Sequence, residues 1–173
     1  MHFLKYYNNN IVKYDLINKF YLKNSTKLPS LKSISLRFNF KKHDLKQLFS
    51  ALSALELISE QKGAFIKSKS FNVNLKIRKG YPVGCKLILR NYKMQHFIVE
   101  LLNKIFFTNK KYNVSQKLSS SFSFTIKNIL VFTKLEKNYQ FFKNLNNLNV
   151  SIITNTENFY EFKFLLASYK IKT

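Results

Sequence analysis

The stretch Lys76-Ile77-Arg78-Lys79-Gly80-Tyr81-Pro82-Val83-Gly84-Cys85-Lys86-Leu87-Ile88-Leu89-Arg90 decides the fold. It holds two of the three glycines, one of the two prolines, two of the three arginines and the only cysteine. Elsewhere Gly, Pro, Ala and Arg are scarce while Asn, Lys, Ile, Phe and Tyr abound. That contrast separates GC-rich from AT-rich codons and points to a strongly AT-biased genome, such as an organelle's. A segment that spends the disfavoured residues together has a physical reason to do so. Glycine reaches backbone angles other residues avoid, and proline fixes a turn. Arginine offers a planar fork that matches phosphate. Val83, Cys85, Leu87 and Leu89 alternate with Gly84, Lys86, Ile88 and Arg90, which is a strand with one apolar face. Phe71, Val73, Leu75 and Ile77 alternate with Asn72, Asn74, Lys76 and Arg78 in the same way. The pattern predicts a basic antiparallel hairpin over about 71–90, turning near Lys79–Pro82. Cys85 falls on the apolar face and reads as a small buried hydrophobe rather than a nucleophile. Tyr81, between Gly80 and Pro82, is an exposed aromatic able to stack on a base.

Outward from the hairpin, the periodicity predicts alternating helices and strands. Residues 3–20 read as a helix with Phe3, Tyr7, Ile11, Tyr14 and Ile17 in a stripe, and with either Tyr6 or Tyr7 exposed. Ile34–Phe38 reads as a half-buried strand. His43–Ile58 reads as a helix burying Leu45, Leu48, Phe49, Leu52, Leu55 and Ile58, with Asp44 near its start. Gln61–Lys69 is basic and extended, and 93–107 is helical. Residues 108–121 are polar and aperiodic, which predicts a loop. Phe122–Ile126 reads as a strand that Ile129–Phe132 continues, and 136–146 as a weak helix. A final strand (149–154) and a helix (156–169, with Thr156 as N-cap) complete the chain. No repeat or long linker is visible. The pattern predicts one domain over 1–173, of the α+β class, with two layers: a mostly antiparallel sheet and helices packed on one face.

Charge is the outlier. Thirty Lys and Arg face eight Asp and Glu over 173 residues, a formal net charge of +22. Self-repulsion on that scale opposes compaction unless a polyanion neutralises it. No acid occurs between Glu60 and Glu100, a stretch that carries Lys62, Lys67, Lys69, Lys76, Arg78, Lys79, Lys86, Arg90 and Lys93. Nucleic acid is the expected partner, with an affinity that falls steeply with salt. One cysteine excludes a disulfide within the chain, and three scattered histidines lack metal-ligand spacing. The acids are dispersed; Glu157 and Glu161, one helical turn apart, read as a solvated face. The sequence therefore predicts no enzyme, no cofactor, no metal, no small-molecule substrate and no membrane partner. A rival reading, a nucleic-acid-processing enzyme or maturase-like protein of an organelle, would need metal-binding carboxylates in a cleft. Residues 1–20 contain no Arg and include Asp15, unlike a mitochondrial transit peptide.

The fifteen-residue motif resembles the signature of ribosomal protein five of the large subunit, the universal 5S-rRNA-associated family of the central protuberance. Flanking pieces agree in order: Leu4-Lys5-Tyr6-Tyr7, Leu28-Pro29 with the strand to Phe38, Ile58-Ser59-Glu60-Gln61-Lys62, Met94–Leu102, and Asn149–Thr156. The resemblance implies a structural constituent of the large ribosomal subunit, partnered by large-subunit rRNA, 5S rRNA, the P-site tRNA elbow, small-subunit protein thirteen and neighbouring ribosomal proteins. Carried over by motif, the tRNA-facing loop is Ile77, Arg78, Lys79, Gly80, Tyr81 and Pro82. The expected RNA-binding positions are Arg37, Gln61, Lys62, Lys67, Lys69, Lys76, Lys86, Ile88 and Arg90. The family has Asn where Arg37 stands, Thr where Ile88 stands, and Gly at Glu60 in its Ile-Ser-Gly-Gln-Lys-Pro segment. The Gly-rich segment after the first strand is missing, and the Arg/Gly-rich loop before Phe122 is much reduced. Codon bias and these departures together imply a mitochondrial ribosome with altered or absent 5S rRNA; another AT-rich organelle, such as a plastid, is the alternative.

Overall fold

A computed structural model describes residues 3–24, 27–40, 44–106, 112–117, 120–145, 147–156 and 158–171. Its strands are β1 (Leu31–Asn39), β2 (Ala64–Lys67), β3 (Pro82–Leu89), β4 (Tyr112–Lys117), β5 (Ser121–Ile126) and β6 (Leu148–Thr154). They form one six-stranded sheet in the order β2-β3-β1-β6-β5-β4, with every neighbouring pair antiparallel. Alternation sorts the faces. Ile34, Leu36 and Phe38 of β1 stand beside Leu89, Leu87 and Cys85 of β3, and beside Ile152 and Val150 of β6. Phe122 and Phe124 of β5 extend the same apolar surface, and all of these side chains are buried.

The helices cover that surface. They are α1 (Phe3–Tyr7), α2 (Lys13–Phe20), α3 (Leu45–Ser59), α4 (Asn91–Leu101), α5 (Thr133–Glu136), α6 (Tyr139–Phe142) and α7 (Phe159–Ser168). Leu48 and Leu55 of α3, Phe97 and Ile98 of α4, and Phe162 and Leu165 of α7 join the strand residues in one hydrophobic cluster. The α+β, two-layer architecture is the one the periodicity predicts, with the sheet wholly antiparallel among the described residues.

Several elements differ from the sequence expectation. The helix over 3–20 is broken by a π-helical turn, Asn8–Val12, where the Asn run sits. The extra residue per turn rotates the rest of the helix, so Leu4, Val12 and Leu16 are buried while Phe3, Ile11 and Tyr14 are exposed. Tyr6 is the exposed member of its pair; the Tyr7 hydroxyl donates to Ser168 O at 3.0 Å. In α3 the small residues Ala51 and Ala54 are buried in place of Leu45 and Phe49, which are exposed. The Asp44 carboxylate caps this helix by accepting from Lys46 N–H at 3.0 Å; His43 lies outside the described residues. Part of the expected 108–121 loop is strand β4. Ile129–Val131 is a 3-10 turn rather than a continuation of β5. The helix after β6 starts at Phe159 with Asn158 at the N-cap position, while Thr156 pairs its hydroxyl with that of Thr154 at 2.8 Å.

The hairpin needs the largest correction. The partner of β3 on that side is β2, with Ala64 opposite Lys86 and Ile66 opposite Gly84, and not residues 71–77. A strand has two edges, and those of β3 are taken by β1 and β2, so 71–77 has no ladder to join. It lies within an ordered loop, 68–81, that connects β2 to β3. Ser68 N–H donates to Tyr81 O (2.8 Å) and Gly80 N–H to Ser68 O (3.0 Å), closing the base. Farther out Asn72 and Ile77 exchange bonds of 2.9 and 3.0 Å around a tight turn, in which Lys76 takes φ 53°. The Asn72 side chain accepts from Leu75 N–H at 3.2 Å and fixes that turn.

Candidate nucleic-acid interface

The face of the sheet turned away from the helices is polar. Ser33, Ser35, Arg37 and Asn39 of β1 lie on it, with Lys86 and Ile88 of β3, Asn149 and Ser151 of β6, and Ser123 and Thr125 of β5. Its hydroxyls and amides hold one another across the strands. The Ser123 hydroxyl donates to Ser151 Oγ and the Thr125 hydroxyl to Asn149 Oδ1, both at 2.9 Å, and Arg37 Nε donates to Ser35 Oγ at 3.1 Å. Such a ladder leaves a flat surface whose spare lone pairs and guanidinium donors face outward.

Register brings two cations together at its centre. Phe40 N–H donates to Val83 O at 3.0 Å, so the backbone groups of Val83 and Cys85 turn toward β1 and those of Gly84 and Lys86 toward β2. Arg37 and Lys86, which are direct partners, therefore form the closer, non-hydrogen-bonded type of pair. Like charges placed so repel one another and are stabilised by an external anion. No acid occurs in any of the six strands or in the 68–81 loop. Asp15, Asp44, Glu56, Glu60, Glu100, Glu136 and Glu161 all lie in the helices or at their ends. Both ion pairs among the described residues, Lys104–Glu100 at 2.5 Å and Lys134–Glu60 at 2.6 Å, belong to that layer. Hydrogen bonding from Lys134 holds the Glu60 carboxyl below its ordinary value.

The sequence-predicted residues fall into two groups. Arg37, Lys86 and Ile88 share the open face, Ile88 being exposed opposite Ser35. Gln61 joins them from the end of α3 by donating Nε2–H to Ile88 O at 3.3 Å. Arg90, exposed at the N-cap of α4, closes this end of β3. The second group runs from β2 into the loop: Lys62, Lys67, Lys69, Lys76, Arg78, Lys79 and Tyr81 are all exposed. Gly80, at φ 88°, supplies the turn before half-buried Pro82 opens β3. Ile77 is the exception in the loop. It is only 7% exposed, so it anchors the segment rather than facing a ligand.

The reading of charge and motif missed the serine, threonine and asparagine ladder. Its signal was present as period-two polar positions, Ser33/Ser35, Ser121/Ser123/Thr125 and Asn149/Ser151, each offset by one from the apolar series. It also missed the exposed apolar tip, Phe71, Val73 and Leu75, which has the pattern of a strand's buried face. Among the described residues no group of three or more His, Cys, Asp or Glu is placed to hold a metal ion. No described helix is long and apolar enough to cross a membrane.

Comparison with known proteins assigns this framework. Residues 82–173 match the model for the C-terminus of the ribosomal protein uL5 family, a span that begins at the first residue of β3. The chain is 30% identical over 177 residues to the large ribosomal subunit protein uL5m of Reclinomonas americana, covering 99% of this chain and 97% of that one. It is 30% identical over 173 residues to the uL5 protein of Nitrosomonas europaea, covering 96% and 95%. With the uL5 protein of Clostridium tetani it shares 40% identity over 90 residues, about half of each chain. An acid-free polar sheet backed by helices, full-length relatives and the matched C-terminal model lead to one conclusion: the chain belongs to the ribosomal protein uL5 family, whose members are structural, non-enzymatic ribosomal proteins.

Proposed function

We propose that this protein is a structural constituent of the large subunit of a mitochondrial ribosome. It binds rRNA at the central protuberance through the open sheet face and presents the 68–81 loop toward the P-site tRNA elbow and small-subunit protein thirteen. The observation that carries the reading is the Arg37–Lys86 pair, two cations side by side on a face without a carboxylate. An RNA backbone offers what that face lacks, and folded RNA is held by shape and phosphate contacts of this kind. The loop adds Arg78 and Lys79 beside the exposed ring of Tyr81. The mitochondrial assignment draws on the AT-biased composition and on the likeness to the Reclinomonas uL5m protein.

At two positions the face departs from the family pattern. Arg37 adds a charge where the family has an asparagine, and Ile88 removes a hydrogen-bonding group. The RNA seated here is therefore held more by charge and less by base-edge hydrogen bonds than a standard 5S contact. The test is sedimentation of the native protein through a sucrose gradient, then RNA crosslinking within the particle. We expect travel with large subunits and crosslinks from the Arg37 and Lys86 face to rRNA. A free, salt-indifferent monomer would overturn the ribosomal reading. Standard 5S rRNA seated against Arg37, Gln61 and Ile88 would overturn the altered contact.

A further inference from the structure

The strand at one border of the sheet is β2, and among the described strands none pairs with its outer side. The alternation of bonding along β3 turns the backbone of Ala64 and Ile66 toward that strand. The N–H and C=O of Phe65 consequently face the open border. The next outward amide, that of Gly63, is already satisfied: it donates to Glu56 Oε1 at 3.0 Å. Border strands in natural proteins are blunted against accidental pairing, and β2 shows the usual devices in its short length, a register shift at Ile66/Lys67 and flanking lysines.

Its apolar surroundings run against that protection. The Phe65 ring packs edge-to-face on Phe49 of α3, with centroids 5.7 Å apart and planes at 88°. Leu45 lies one helical turn before Phe49. Phe65, Phe49 and Leu45 are 37%, 58% and 53% exposed, a contiguous apolar patch beside an outward-facing N–H and C=O. The charges around it are of one sign. Lys46, Lys62 and Lys67 are exposed, while the carboxylates of Asp44 and Glu56 are engaged by the Lys46 and Gly63 amides.

We propose that this border is a docking site for a neighbouring protein, which adds a short extended segment to β2. The segment pairs its backbone with Phe65, rests one apolar side chain on Leu45 and Phe49, and carries acidic residues toward Lys46, Lys62 and Lys67. Main-chain bonds supply attachment, the apolar anchor supplies selectivity, and the carboxylates complement the lysines. An RNA strand offers no donor–acceptor pair at strand spacing and no side chain for the patch. The site is distinct from the polar face assigned to rRNA.

The test places the photocrosslinker p-benzoylphenylalanine at position 49 of the full-length chain, an exposed site that tolerates the change, within assembled large subunits. We expect a nuclease-resistant adduct that maps to an extended, acid-flanked protein segment. We also expect Lys62→Glu with Lys67→Glu to lower its yield about tenfold while sedimentation is unchanged. A nuclease-sensitive adduct, an adduct with a helical or basic segment, or no adduct in particles that contain the chain would overturn the proposal. Sedimentation of the same chain reports separately on the ribosomal reading, so the two fail in different measurements.

Discussion

Two glycines in the same motif are required for different reasons. A Cβ built on Gly84 would lie 2.3 Å from Phe38 O, a backbone atom in the centre of the sheet, so β1 and β3 would have to separate. At Gly80 nothing lies within 4 Å, and the constraint is φ 88° alone. Gly84→Ala should therefore cost about 3 kcal/mol and Gly80→Ala about 1 kcal/mol. The urea midpoints of the full chain check the ordering; equal losses would contradict the close approach. Cys85, the next residue in the strand, is constrained by burial instead. Burial pushes its thiol up to about 11 from 9.0, and its Sγ lies 3.4 Å from Leu48 O. Between those values the unfolded chain loses the proton while the folded chain keeps it, so stability falls as pH rises from 9 to 11. A Cys85→Ala variant should lack that part of the decline, measured as the difference between the two pH–stability curves.

At the scale of elements, the end of α3 shows what one departure from the family pattern costs. Glu60 takes φ 55° at the C-cap, the left-handed region where glycine is favoured, and the family segment has glycine at that place. Its compensation is an exposed ion pair with Lys134 at 2.6 Å, a kind of contact of small value. Glu60→Gly should stabilise the chain by roughly 0.5 kcal/mol net, read as a raised thermal midpoint. The elements also show where sequence reading works. Strands β1, β3, β5 and β6 and helices α3, α4 and α7 were legible because each buries one face, which imposes period 2 or 3.6 on the apolar residues. Strand β4 was not, since Tyr112–Lys117 has only Val114 as an aliphatic residue and lies at the sheet's border. Residues 71–77 were misread for the opposite reason: they alternate without a break, yet Phe71, Val73 and Leu75 project to solvent because β2 already occupies the edge of β3. Alternation shows that a segment can be a strand; whether a neighbour has room for it is a property of the whole sheet. The site was legible to a similar extent. Arg37, Gln61, Lys86 and Ile88 meet as the motif implied, whereas the hydroxyl ladder beside them depends on register that no single strand contains.

For the molecule as a whole, the distribution of charge matters more than its sum. Removing Arg78 and Lys79 from the loop should weaken rRNA binding by about tenfold and reduce the slope of log affinity against log salt by roughly 1.5. Removing Lys163 and Lys170, which lie in and just after α7 on the helical layer, deletes equal charge and should leave that slope nearly unchanged. Filter binding of the full chain to large-subunit rRNA over a salt series would separate the pairs, and equal slopes would refute a specialised loop. The confinement of the described acids to the helical layer has a kinetic side too. A body whose negative groups gather at one pole carries a permanent electric moment, and near a polyanion it experiences a torque as well as a pull. It swings sheet-foremost before touching, much as a compass needle settles before it is read. Fewer encounters are then wasted on the wrong pose, so assembly in dilute salt should outpace that of a charge-shuffled variant with the same total.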